Sequence, residues 1–390
     1  MEIERSGLFS CRILSEKEAK NLEMLELIRR EKAFSRTDIS KTTGINIVSV
    51  SNYIKNYIDK KLVLEKGFGE SSGGRKPELV ELNLKNNYVA GIEISADRVS
   101  FILADFDMTI VSRDEKPVLG RSAETAIREV PALAKNFLEG SKIAKDKIRA
   151  IGVALPQNGF LPVCRTIESD TGIPVFAAGY AACEAFGEKR MNKDADVDNL
   201  LFIYSDLGRG IVIKDSACFG AVGATGEIYC DEVKPPKSHN DISYEQSKYL
   251  QPWPGDLGIV SAARNEVARG IGTKMVELAS GKVENINDDI IIKAVIDKDE
   301  VALSIVNSVG TNLGLRISYL INLFEPETVV LGGGLEKYGN LMIDKIKQMV
   351  NTFVLKRLAR NIKIAPSLLG KNAVGLGAAS IAVREVFLRA

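Results

Sequence analysis

Residues 35–63 read SRTDISKTTGINIVSVSNYIKNYIDKKLV, and this stretch decides how the N-terminal part folds. Ser35 is a helix N-cap by residue type, and Gly44 closes a short helix over RTDISKTT. Asn46 then caps a second helix in which Val50, Ile54, Tyr57 and Ile58 recur at i, i+4, i+7 and i+8, so one side packs inward. Helix, a short turn with Gly, and helix is the helix-turn-helix pattern. Upstream, Leu22, Leu25, Leu27 and Ile28 give an amphipathic first helix. Downstream, LVLEKG and ELVELNL read as two short strands joined by FGESSGGRKP, which makes a wing with Arg75 and Lys76 at its tip.

The polar residues of these elements suit a nucleic-acid duplex. Ser49, Ser51, Asn52 and Lys55 lie off the apolar side of the second helix, where short hydroxyls, an amide and an ammonium match base edges and phosphates. Arg36 and Asn46, at the starts of the two helices, belong to the same candidate DNA-binding set. Arg75 with Lys76 fits a narrow minor groove. From Arg29 to Lys76 there are eleven Lys or Arg against five Asp or Glu, in a chain whose net charge is +1. That local surplus is the electrostatic footprint of a polyanion partner.

The remaining composition excludes other classes. With 390 residues, 45% hydrophobic and 26% charged, the chain has material for two or three ordinary domains. Its five cysteines show no C-x-x-C spacing, so neither a disulfide framework nor a zinc cluster is indicated, and a reducing cytoplasm is the expected setting. No stretch is long and apolar enough to be expected to span a membrane.

From Tyr88 the text changes to VAGIEISADRVSFILADFDMTIVSR, a strand meander. IRAIGVALP and NLLFIYSDLGRGIVI read as buried strands, and TAIREVPALAKNFLEG and the segment 312–323 as helices, which together make an α/β domain of two lobes. FEPETVVLGGGL is a buried strand running into Gly332, Gly333 and Gly334, with a helix to follow whose N-terminus can hold an anion. LLGKNAVGLGAASIAVREVFL reads as a Gly-rich turn entering an Ala-rich helix.

Nearly the whole chain resembles the ROK family (repressor, open reading frame, kinase), which groups transcriptional repressors with sugar kinases of the actin-like ATPase fold. The resemblance rests on SGGRKP, GIEISADR, IGVALP, LGRGI, ATGEI, FEPETVVLGGGL and AVGLGAA, in the family's order, the first being a mark of its repressor branch. It implies a winged helix-turn-helix over residues 1–84, a first lobe over 85–200 completed by a C-terminal helix at 375–390, and a second lobe over 201–374. It further implies a cytoplasmic regulator that binds a double-stranded operator as a homodimer or higher oligomer, with a small sugar as effector through Gly226 and Glu227.

The departures from the family pattern point away from catalysis. The family kinases carry an Asp-x-Gly-Gly-Thr-Lys hairpin where this chain has Glu93, Ile94, Ser95, Ala96, Asp97 and Arg98. The position of their catalytic Asn-Asp pair falls on Gly179 and Tyr180, and a phenol is a poor proton acceptor at neutral pH. Tyr229 and Cys230 stand where the family has Gly-His, and the only histidine, His239, is a surface-loop residue by context. Gly208, Gly210 and Gly332–Gly334 are therefore vestigial phosphate loops. No catalytic residue, metal site or cofactor is assigned. Two alternatives stand beside this reading: an active sugar kinase with an appended DNA-binding domain, and a regulator with no sugar ligand.

Overall fold

The computed structural model describes residues 14–68, 77–95, 98–117, 123–155, 161–191, 199–203, 209–213, 216–217 and 259–390. The first helix, α1 (Glu16–Glu31), starts in a capping box: Ser15 Oγ accepts from the Glu18 N–H at 3.3 Å, and Glu18 Oε2 accepts from the Ser15 N–H at 3.0 Å. It buries Leu22, Met24, Leu25, Leu27 and Ile28. A short strand, β1 (Phe34–Ser35), leads into α2 (Arg36–Thr43), which Ser35 caps through the Asp38 N–H. Gly44 ends α2 at φ 71°, a left-handed conformation cheap only for glycine. Asn46 then caps α3 (Ile47–Asp59) through the Ser49 N–H at 2.9 Å. The hairpin of β2 (Val63–Phe68) and β3 (Glu78–Leu82) completes the head, a helix-turn-helix with a wing whose tip lies outside the described residues. β1 adds an antiparallel third strand on β3, which the sequence reading did not include.

The head and a five-stranded lobe form one compact unit. β4 (Tyr88–Ile94), β5 (Arg98–Asp105) and β6 (Ile110–Pro117) are the meander; α4 (Ala123–Gly140), β7 (Ile148–Leu155), α5 (Leu161–Thr171), β8 (Val175–Gly179) and α6 (Tyr180–Met191) follow. The sheet order is β6-β5-β4-β7-β8, with β4, β7 and β8 parallel. The last helix of the chain, α13 (Ala373–Leu388), also belongs to this unit and is buried without a break from Ala373 to Glu385. Gly91 and Gly152 sit side by side in the β4–β7 register and leave a flat spot for it. A Cβ on Gly91 would come 2.0 Å from Gly375 O, and one on Gly152 would come 1.8 Å from Ala378 O. Gly377 in turn meets the Cys183 carbonyl of α6. The glycines of AVGLGAA thus lie inside a helix and let backbone meet backbone, and the turn that enters it is the single 3-10 turn Gly370–Asn372.

The second unit spans Val197–Cys218 and Ala224–Gly370. It holds β9 (Asn199–Ile203), β10 (Arg209–Ile213), β11 (Ser216–Ala217), α7 (Ile259–Ala268), α8 (Lys274–Leu278), α9 (Asp288–Ile296), α10 (Glu300–Phe324), β12 (Thr328–Leu331), α11 (Gly339–Phe353), α12 (Lys356–Ala359) and β13 (Lys363–Pro366). Its sheet order, β11-β10-β9-β12-β13, repeats the design of the first: antiparallel strands at one edge, then three parallel ones. Asp299 caps the long α10 through the Ala302 N–H at 2.8 Å. Gly310 and Gly314 on α10 receive the side chains of Met342, Lys345 and Met349 from α11.

Candidate nucleic-acid interface

Burial of Val50, Ile54 and Tyr57 against α1 and α2 fixes which side of α3 faces out. Val48, Asn52, Lys55 and Asp59 occur at i, i+4, i+7 and i+11, a row along the helix, and all four are exposed. Among the described residues neither Asn52 nor Lys55 makes a side-chain hydrogen bond or ion pair. The first turn carries no carboxylate, so the positive end of the helix is left unneutralised. Ser49 stands half-buried beside the row.

Three candidates are engaged within the head. Asn46 spends its Oδ1 on the cap of α3. Ser51 turns its hydroxyl back to Ile47 O at 2.8 Å, which leaves it a poorer partner for a base edge. Arg36 donates to Glu65 Oε1 at 2.9 Å and to Glu78 Oε2 at 2.6 Å, one carboxylate from each strand of the wing. Burial opposes the charge of its guanidinium, but those two partners outweigh it and raise the pKa. Arg36 therefore ties α2 to the base of the wing. Nothing local in the sequence signals this, because the partners lie 29 and 42 residues away. Arg75 and Lys76 lie outside the described residues, as do Gly208, Gly226, Glu227 and Asp97.

A polar junction that sequence reasoning missed holds the head to the lobe. The buried Asn21 of α1 accepts from Tyr57 Oη of α3 at 2.8 Å and donates to Leu388 O and Ala390 O at 3.2 and 2.9 Å. Burial pushes the Tyr57 phenol up, which keeps it a donor at all ordinary pH. Beside it, Glu26 receives Arg190 of α6 and Arg29 of its own helix, the latter at 2.7 Å. Burial works to raise the Glu26 pKa, but the two guanidinium charges prevail and hold it down at about 2. Arg29 reaches on to Asp107 at 3.5 Å, Arg190 to Phe106 O at 3.0 Å, and Arg149 of β7 to Asn87 at 2.6 Å.

Where kinase chemistry would sit, the polar groups face inward. Tyr180, the first residue of α6, donates its hydroxyl to Ile94 O at the end of β4. The hairpin that follows closes on itself, with Ser95 N–H and Oγ both bonded to Arg98 O. In the second unit Gly332 is a packing glycine: a Cβ there would lie 2.2 Å from the Phe202 ring. Gly333 and Gly334 have φ 62° and 102°, and the Gly334 N–H is taken by Glu336 Oε2 at 2.8 Å. A carboxylate of the chain occupies the donor that an anion would need. The helix expected directly after the three glycines is also displaced: a 3-10 turn, Leu335–Tyr338, intervenes before α11. Gly210 lies in β10, paired with Phe202. Among the described residues no group of three or more His, Cys, Asp or Glu could hold a metal, and no helix is long and apolar enough to cross a membrane.

Comparison with known proteins agrees with this arrangement. The model of the ROK family matches residues 265–385. A putative xylose repressor of Caldicellulosiruptor sp. (strain Rt8B.4) is 25% identical over 389 residues, covering 95% of this chain and 96% of its own. The crystal structure of a ROK family transcriptional regulator, a homolog of the E. coli MLC protein, superposes with a TM-score of 0.77 at 21% identity over 96% of this chain and 98% of its own. A ROK family glucokinase from Streptomyces griseus, in complex with glucose and AMPPNP, gives a TM-score of 0.59 at 20% identity; it is matched over 99% of its length but only 76% of this chain. The fold is that of a two-lobed, sugar-kinase-like α/β protein preceded by a winged helix-turn-helix. Residues 265–385 are the part matched by the ROK family model, and the similarity to the xylose repressor and to the ROK family regulator runs over nearly the whole chain.

Proposed function

We propose that this protein is a DNA-binding transcriptional regulator, a repressor by kind, whose kinase-like lobes sense and assemble and do not transfer phosphate. The observation that carries the proposal is the outward row of α3, where Asn52 and Lys55 stand free above a first turn without carboxylates. An amide and an ammonium on such a helix are the groups that read base edges and phosphates in a major groove. The similarity to a xylose repressor over almost the full chain supports the same reading. Ser49 joins Asn52 and Lys55 at the groove, with Arg75 and Lys76 of the wing beside the half-site.

The lack of kinase activity rests on Tyr180. Its hydroxyl is held by Ile94 O, and it stands where the family's base belongs, so at that position a phenol, and not a carboxylate, would meet the proton of a sugar hydroxyl. The effector class is a small sugar, held in part by Glu227 beside Gly226; the similarity to a xylose repressor makes xylose the first sugar to test. The functional species is a homodimer or higher homo-oligomer, and the operator is an inverted repeat with half-site centres about one helical turn, or a multiple of it, apart.

Mapping the sites bound by the full chain across its genome tests the first claim: discrete peaks upstream of sugar-utilisation genes are expected, and uniform or absent binding contradicts it. ATP turnover in the presence of glucose, N-acetylglucosamine, xylose or fructose tests the second. Turnover at an ordinary kinase rate of roughly 1–100 per second would overturn it.

A further inference from the structure

We infer that Val48, with Ile47 beside it, is a specificity residue that recognises the 5-methyl groups of thymines in the major groove. The inference rests on the reading of α3 as the helix that enters DNA. Apart from Phe68 at the end of β2, which is exposed, large apolar side chains of the head are otherwise mostly packed inward: Leu22, Met24, Leu25, Ile28, Ile39, Val50 and Ile54 are all buried. Val48 is 68% exposed and Ile47 44%. They occupy the first two positions of α3, the end of a recognition helix that contacts base edges.

The row that Val48 heads is graded. It runs from an apolar residue through Asn52 and Lys55 to Asp59, whose carboxylate repels phosphate. Only the N-terminal part of the row can therefore lie deep in the groove, and Val48 is its outermost member there. The surplus of Lys and Arg between Arg29 and Lys76 draws the head to a polyanion. With Ser51 bonded to Ile47 O, the helix offers the groove the Asn52 amide, the Ser49 hydroxyl, the Lys55 ammonium and a pair of β-branched side chains. Among the groups that base pairs present in the major groove, one is apolar, the C5-methyl of thymine. Burying a β-branched side chain against bases without that methyl gains little. Burying it against a methyl removes about one carbon's worth of apolar surface on each side from water.

The experiment uses the full-length protein. Duplexes are selected from a random pool, and each thymine of the best one is replaced singly by deoxyuridine, which removes only the methyl. At one or two positions per half-site the replacement should weaken binding about fourfold, the worth of one buried carbon. For Val48→Ala the thymine and uracil duplexes should bind alike at those positions. The side chain is exposed, so the variant keeps the fold. Equal binding of thymine and uracil duplexes by the unmodified protein overturns the inference and leaves DNA binding standing. So does a methyl effect that persists in the Val48→Ala, Ile47→Ala double variant. If the pool yields no enriched duplex, the reading of α3 falls and the inference with it.

Discussion

The lobe and the head of the first unit are held by opposite means. Inside the lobe, β4, β7, α6 and α13 approach until backbone meets backbone, at Gly91, Gly152 and Gly377, with no side chain between. The head meets the lobe through an amide, a phenol, carboxylates and guanidinium groups: Asn21, Tyr57, Glu26, Arg29, Arg190 and Arg149. Apolar burial holds elements together without prescribing an angle, whereas charge-assisted hydrogen bonds are directional. The lobe is thus built to be rigid, and the junction to fix how α3 is presented. Asn21 makes the point most directly, because one side chain joins α3 to the end of the helix that threads the lobe.

Substitutions on the two sides should separate these roles. The largest effect belongs to Gly152→Ala, whose Cβ would fall 1.8 Å from Ala378 O and 2.4 Å from Ala378 C. Both are backbone, so strand and helix must part, at a cost above about 4 kcal/mol; circular dichroism and urea titration should find no cooperative transition. At the junction, Glu26→Ala leaves the buried Arg190 guanidinium without its carboxylate, and Arg29 with Asp107 alone, and should cost about 3–5 kcal/mol in denaturant titrations. Replacing Glu26 and Arg190 together by Met should recover much of that loss, because the charge to be buried goes with its partner.

The same pair predicts a pH dependence. Glu26 is held at about 2 in the folded protein against an ordinary 4.5, so its contribution is complete above about pH 4.5 and is lost as pH falls toward 2. Between pH 5 and about pH 3 the unmodified protein should lose more stability than Glu26→Gln. Equal losses would mean that the pair is weak. The smallest effect is that of Arg36→Ala, a partly exposed double ion pair at the base of the wing, worth about 1 kcal/mol or less.

Much of the head was legible in the sequence because its signals are local. Ser35 and Asn46 cap the helices they were expected to cap, Gly44 ends α2, and the apolar spacing of Val50, Ile54 and Tyr57 marks the buried side. Val48 was legible too, but only by following the row from Asn52 and Lys55 back one turn; a search for polar readers passes over it. What was not legible is long-range. Arg36 looks like a DNA contact until Glu65 and Glu78 arrive from the wing, and nothing near Glu26 announces Arg190, 164 residues away. What the glycines of the last helix are for was also hidden: Gly377 and the strand glycines Gly91 and Gly152 serve close backbone packing with partners far away in the chain.

The most direct test of the account is the salt dependence of binding to the selected duplex, measured by fluorescence anisotropy for the unmodified protein and for Lys55→Ala. Lys55 touches phosphate in this account, so the logarithm of the affinity should fall linearly with the logarithm of salt concentration. The slope should be smaller by about one unit in the variant, with similar loss on specific and scrambled DNA. A slope unchanged by Lys55→Ala, or binding indifferent to salt, would contradict the claim that the outward row of α3 is what meets DNA.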